Sequence, residues 1–583
     1  MMAKEKRINR RALFADETQD YRIPEEPDSG EMTELRFRTG AGEAQQVFCV
    51  VMETGERLEM KKVASDGRFD FFQTTMRVGD DAIHYCFFVQ GEGDSCFFGR
   101  LGASKHAELC GPFVITPGFH TPEWAKGAVM YQIFVDRFCN GDPDNDMKER
   151  EYVYIGRPVH KVENWEQNPS TMDVGCFYGG DLAGVCEKLD YLQYLGVEVI
   201  YFNPLFVSPS NHKYDSQDYE HIDPHYGVIV KDGGEVVAEN AVSNEEATCY
   251  QRRSADPANL TASDQLFADL VKEMHERGMR VIIDGVFNHC GSFNKWLDRE
   301  KIYLHQGGYE AGAYLSEKSP YRSFFHFNNE NANAWPDNGS YDGWWGHDTL
   351  PKLNYEESPK LYEYVMKIAR RWVSEPFCVD GWRLDVAADL GHSSEFNHKF
   401  WKDFRANVKL ANPEAVILAE HYGDPSSWLQ GDEWDTIMNY DAFMEPLTWF
   451  LTGMEKHSDS SNSALYGDGE SFFRSTSQPV MSAWVTAGTV TPCVREIIVG
   501  NNRSGASLTI RKSVFSHGSS SILSNLLAAC TFIRSGSQIS TTLYSDSNAL
   551  NDRARIISSA SNVLILPCLL SIAMVSYHIC SLK

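Results

Sequence analysis

Val379-Asp380-Gly381-Trp382-Arg383-Leu384-Asp385-Val386 reads as a short buried strand with charge placed at alternate positions. A strand turns residues i and i+2 to one face, so Arg383 and Asp385 share a space. A neighbouring cation lowers a carboxyl pKa by roughly 1–3 units, which makes Asp385 an expected anion and nucleophile. A second apolar strand, Ala415-Val416-Ile417-Leu418-Ala419, ends on Glu420. Burial without a cation raises a carboxyl pKa, so Glu420 is the expected proton donor. Two carboxyls tuned apart in this way suit hydrolysis of a glycosidic bond.

Other segments set these strands in an α/β order. Val129–Val135, Val197–Phe202, Arg280–Asp284, Val379–Val386, Ala415–Glu420 and Asp435–Tyr440 are apolar runs separated by helix-like stretches such as Leu266–Arg277, which Gly278 closes. Polar residues gather at the strand carboxyl ends, where a (β/α)8 barrel carries its site. Upstream, residues 31–118 alternate with Gly and Asp turns at β-sandwich spacing. Pro117-Gly118 and Pro122 read as a linker. The expected fold is therefore α/β: a TIM barrel over 122–474, incomplete at strands seven and eight, preceded by the sandwich. Residues 1–30 are expected as an extension, with inserts at 228–262 and 290–350.

The formal charge of −27 argues against nucleic acid. No apolar run follows the basic start, and the 14 cysteines form no Cys-x-x-Cys pair, so cytoplasmic thiols are expected. The composition changes at Arg474. Residues 475–583 hold three acidic and eight basic residues, a charge of +5 that leaves −32 for 1–474. This Ser-rich tail reads as out-of-frame translation or a disordered extension. Its apolar run, Val563–Leu582, raises a membrane anchor as the alternative, weakened by Pro567 and His578.

Five motifs stand in order: Asn211-His212-Lys213-Tyr214-Asp215, Asp284-Gly285-Val286-Phe287-Asn288-His289, Leu350-Pro351-Lys352-Leu353-Asn354, Gly381-Trp382-Arg383-Leu384-Asp385, and the segment ending in Glu420. Together they resemble the alpha-amylase family of glycoside hydrolases, in its neopullulanase, cyclomaltodextrinase and maltogenic amylase branch, over about residues 31–474. The resemblance implies a retaining hydrolase of α-1,4 and α-1,6 bonds in cyclomaltodextrins, pullulan or maltooligosaccharides. It makes Asp385 the nucleophile, Glu420 the acid and base, Arg383 the cation that keeps Asp385 ionised, His289 a donor to a sugar hydroxyl, Tyr214 a stacking ring and Asp284 a structural acceptor.

It also implies a Ca²⁺ site on Asn140, Asp142, Asn145, Asp146, the Gly179 carbonyl and Asp181, in segments rich in hard oxygen donors. Pairing of two copies through the sandwich is a further expectation. Trp344 and Trp345 are either sugar-stacking rings beside the cleft or core aromatics. One departure stands out: the family's third acidic residue lies in an Asn-His-Asp motif, and this chain has none. A binding protein on a degenerate barrel is therefore the rival expectation.

Overall fold

Every second side chain of Met32–Gly40 is turned inward until the last two positions, and the same period builds the amino-terminal unit. The computed structural model describes residues 7–170, 173–304, 306–328, 341–440, 496–502 and 505–511. Met32–Gly40 pairs antiparallel with Phe69–Arg77, flanked by Arg22–Ile23 and Lys61–Ser65. A second sheet runs Arg57–Glu59, Gln46–Val51, Ile83–Gln90, Ser95–Gly99, Gly102–Ser104, with Phe113–Ile115 added to Ile83–Gln90. Leu35, Phe37, Val47, Phe87 and Phe113 share one core between them, and Phe37 stacks on Phe87 at 4.6 Å. The expected extension is no appendage from Ile8 onward. Ile8, Leu13, Ala15 and Tyr21 enter the same core, since burying their apolar surface favours the packed state.

Six parallel strands follow, side by side in chain order: Met130–Ile133, Val199–Phe202, Arg280–Gly285, Gly381–Leu384, Val416–Ala419 and Thr436–Ile437. Parallel neighbours need a crossover. Four crossovers contain helices: Leu182–Glu187 with Leu189–Tyr194, Pro257–Glu276, Pro359–Val373 and Ser394–Ala411. Caps fix where these begin. The Asp256 side chain accepts the Ala258 N–H with Pro257 at the first turn, and Ser358 and Ser393 cap the two later helices. The helix expected from Leu266 thus starts at Pro257, inside the stretch read as an insert.

Register places Asp284 beside Arg383, and Arg383 beside Leu418. Gly381 permits that approach, because a Cβ there would lie 2.4 Å from the Val416 carbonyl oxygen. These strands form the first six of the expected barrel. The sixth is shorter than Asp435–Tyr440, pairing only over Thr436–Ile437. Strands seven and eight, the Val563–Leu582 run and most of the tail lie outside the described residues. Within the tail, Glu496–Asn502 and Gly505–Arg511 form an antiparallel hairpin in a second unit. Among the described residues no helix is long and apolar enough to cross a membrane, and ten cysteines are free thiols.

Candidate active site

Arg383 rises from the fourth barrel strand with its guanidinium buried among three carboxylates. Nη1 donates to Asp284 Oδ1 and to Asp385 Oδ1, both at 2.9 Å, and Nη2 lies 2.9 Å from Glu420 Oε1. Asp284 also accepts the hydroxyls of Tyr201 at 2.5 Å and Tyr214 at 2.9 Å. Glu420 Oε2 accepts the Val386 N–H at 3.0 Å, and Oε1 accepts the Tyr422 hydroxyl at 3.0 Å. Asp385 and Glu420 thus sit on the two terminal nitrogens of one guanidinium.

The expectation that Arg383 serves Asp385 and leaves Glu420 without a cation is corrected here. One guanidinium serves all three acids, so full ionisation would leave two uncompensated negative charges in a buried site. Burial, followed by the negative charge of Glu420, drives the Asp385 carboxyl well above its ordinary range. Glu420 also feels burial, but Arg383 and the Val386 N–H outweigh it and hold its carboxyl below the usual range. Both directions are the reverse of the sequence expectation, which gave the depressed carboxyl to Asp385 and the raised one to Glu420. The sequence could not show it, because the second arm of the guanidinium reaches across to the neighbouring strand.

Val386, next to Asp385, has φ 37° and ψ 46°. That left-handed conformation costs a β-branched residue on the order of 1–2 kcal/mol, and it accompanies the N–H bond to Glu420. Tyr201, Tyr422 and the Val386 amide were missed from sequence. The signal available for Tyr201 was a hydroxyl in an otherwise apolar strand ending, Val199-Ile200-Tyr201-Phe202.

Tyr214 sits on a loop whose neighbour Lys213 is fully buried with φ 60°. A chain of buried charges pins that loop. Lys213 Nζ meets Asp223 at 2.6 Å, His225 bridges Asp223 and Glu151 at 2.9 Å each, and Arg253 meets Glu151 at 2.5 Å. Both His225 ring nitrogens face carboxylates, which requires two donors and hence an imidazolium; its pKa is raised accordingly, the carboxylates overcoming burial. His289 is fixed against the same loop. Its Nε2–H donates to the Tyr214 carbonyl at 3.1 Å, not to open space, and burial pushes its pKa down to about 3, so it is neutral.

The Asn/Asp loop closes on itself. Asp181 caps the helix Leu182–Glu187 and accepts four N–H groups, from Gly141, Asp142, Gly184 and the Asn145 amide. Those bonds occupy the oxygens that the sequence reading offered to a metal. Asp142 Oδ1 accepts the Asp144 N–H at 3.1 Å. Asn140 donates to Asp146 at 2.7 Å, Lys161 pairs with Asp146 at 2.9 Å, and Gly179 packs against Asp146 with φ 83°. The amide oxygens of Asn140 and Asn145 are buried without a hydrogen bond. Unpartnered hard oxygens of this kind fit a Ca²⁺ ligand set. Among the described residues, no cluster of three His, Cys, Asp or Glu could hold a metal, so the amides would have to take a share.

Residues 132–237 and 261–484 match the alpha amylase catalytic domain, and residues 28–114 match the alpha amylase N-terminal ig-like domain. Neopullulanase 2 of Thermoactinomyces vulgaris is 33% identical over 450 residues, 74% of this chain and 65% of that protein. The cyclomaltodextrinase of a Bacillus species is 32% identical over 73% of this chain and 66% of its own length. The intracellular maltogenic amylase of Bacillus subtilis (strain 168) is 32% identical over 72% and 62%. The chain thus spans just under two thirds of the length of these relatives. Among solved structures, the type III pullulan hydrolase from Thermococcus kodakarensis superposes with a TM-score of 0.49 at 25% identity, covering 79% of this chain and 69% of that one. The catalytic match takes in more than half of the chain and every residue around Arg383, and on that ground the chain belongs to the alpha-amylase family, with a TIM-barrel catalytic domain and an amino-terminal immunoglobulin-like domain.

Proposed function

We propose that this chain is a retaining α-glucan hydrolase acting on cyclomaltodextrins, pullulan or maltooligosaccharides. The observation that carries the reading is the pair Asp385 and Glu420, each held at 2.9 Å by one nitrogen of the same guanidinium. Retaining chemistry sets its carboxyls roughly 5–5.5 Å apart and inverting chemistry roughly 6.5–9.5 Å, and two acids on adjacent nitrogens of one guanidinium favour the shorter spacing. In the reacting state Asp385 is ionised and Glu420 carries the proton. The Asp385 carboxylate then attacks the anomeric carbon while Glu420 protonates the leaving oxygen. Water releases the glycosyl group from Asp385 and returns a proton to Glu420.

The missing Asn-His-Asp motif implies impaired turnover, because losing one preorganised transition-state partner commonly costs about 10²–10³ in rate. It also favours the second reading, a glucan-binding protein on the same barrel. The test is reducing-sugar release by the purified full chain from β-cyclodextrin, pullulan and maltotriose, with Glu420→Gln alongside. Slow release that the variant abolishes supports the hydrolase. Binding of maltoheptaose without any release supports the binder, and neither release nor binding ends both readings.

Ca²⁺ belongs to the proposal as a structural ion. The amide oxygens of Asn140 and Asn145, the Asp146 carboxylate and the Gly179 carbonyl would hold it, with Asp142 beside them and Asp181 fixing the loop. An ion there would satisfy the two orphaned oxygens. EDTA is expected to lower the thermal midpoint by several degrees, and added Ca²⁺ to restore it. Scanning fluorimetry that gives the same midpoint in EDTA and in millimolar Ca²⁺ would remove the ion from the account.

A further inference from the structure

Tyr201 carries the one hydroxyl of the second barrel strand, Val199-Ile200-Tyr201-Phe202. Strand period divides these side chains between two faces. Ile200 and Phe202 turn outward into the core shared with the helices. Val199 and Tyr201 turn the other way, where they pack with Ile282, Trp124 and Ala128. Filling that space needs only a phenyl ring. A buried hydroxyl adds a cost unless it finds a partner, and this one donates to Asp284 Oδ2 at 2.5 Å. The Tyr201 ring also faces the guanidinium, with Arg383 Cζ 6.0 Å from its centroid.

Nη1 of Arg383 has two hydrogens and three oxygens around it: Asp284 Oδ1 at 2.9 Å, Asp284 Oδ2 at 3.1 Å and Asp385 Oδ1 at 2.9 Å. An aspartate with both oxygens turned to that nitrogen would take both hydrogens and leave Asp385 without one. Asp284 Oδ2 is instead occupied by two hydroxyls, those of Tyr201 and Tyr214. Tyr214 stands on a loop, and its hydroxyl also accepts the Asn203 amide at 3.0 Å. Tyr201 is fixed in a strand and 2% exposed. Resting on the reading above, we propose that Tyr201 is a positioning residue, which by occupying Asp284 Oδ2 leaves one Nη1 hydrogen for the nucleophile Asp385. It acts through Asp284 and Arg383, not on the sugar. The titratable groups around that guanidinium are Asp284, Asp385, Glu420, Tyr201 and Tyr214. Without the Tyr201 hydroxyl, Nη1 turns to Asp284, and Asp385 ionises at higher pH because its charged form has lost a donor.

The test is the pH–rate profile of β-cyclodextrin hydrolysis by the full chain, with Tyr201→Phe beside the parent. That variant keeps the ring and removes only the hydroxyl. Its kcat is expected to fall about tenfold with KM held within about twofold, and the acid limb of kcat/KM to move up by about one pH unit. Tyr355→Phe is the control. Its buried hydroxyl donates to a backbone carbonyl, that of Phe287 at 2.7 Å, and the limb is expected to stay in place. A rate loss in Tyr201→Phe with the limb unmoved marks a structural role and overturns the proposal, as does an equal shift in Tyr355→Phe. If Tyr201→Phe shows no cooperative thermal transition, Tyr214→Phe takes the other hydroxyl from the same oxygen, and an unmoved limb there overturns the proposal too. Parent kinetics in Tyr201→Phe overturn it while leaving the hydrolase reading standing. A parent with no turnover at any pH overturns that reading, and the positioning role with it.

Discussion

Replacing Asp385 by Asn is expected to lower maltotriose hydrolysis by about 10⁴-fold or more and at the same time to raise the thermal midpoint. The first effect follows from removing the proposed nucleophile. The second follows from charge. Asp284, Asp385 and Glu420 share one buried guanidinium, so the native site carries excess negative charge that function requires and stability does not. An amide at 385 can still accept from Arg383 Nη1 without adding to that excess, a gain of about 1 kcal/mol.

The sign of the pH dependence is a second handle on the same variant. The Asp385 carboxyl is held well above its ordinary range, by burial and then by Glu420. A group with a raised folded-state pKa supports the fold fully only below its unfolded value of about 4, and that support is lost as pH rises through the folded value. The advantage of Asp385→Asn should therefore be larger at pH 8 than at pH 5. Calorimetric midpoints at the two pH values check this. A variant less stable than the parent, or one with the same gain at both, would contradict the shared-charge account.

Arg383→Met should produce the largest loss of stability. It leaves three buried carboxyls without their cation, and breaking a buried ion pair from one side costs about 3–5 kcal/mol. Arg383→Lys should recover only part of this. A single ammonium cannot reproduce a fork that reaches Asp284 and Asp385 with one nitrogen and Glu420 with the other. Coupling between neighbours also makes Arg383→Met with Asp385→Asn less costly than the sum of the two. Urea unfolding measures all three variants. A cost below about 1 kcal/mol for Arg383→Met would mean that the carboxyls simply stay protonated and the guanidinium is not their stabiliser.

Much of the site was legible in one dimension, for a specific reason. Asp284, Arg383, Asp385 and Glu420 each stand at or just past the end of an apolar strand, and strand period dictates which of them share a face. The Asp256-Pro257 helix start carries an equally local mark, a capping acid followed by a proline. Tyr422 and the Val386 amide carry no such mark, since a loop residue and a backbone N–H acquire partners only when the chain folds back.

The boundary between the two kinds of knowledge runs through Arg383. Local spacing alone determined that this arginine faces Asp385, and that carboxylates crown successive strands of a parallel sheet. Which carboxyl keeps a proton was decided by tertiary structure, because it depends on how one cation divides among three anions on neighbouring strands. Coulomb energy follows distance through space, and the Asp284 and Glu420 distances to Arg383 are set by strand register.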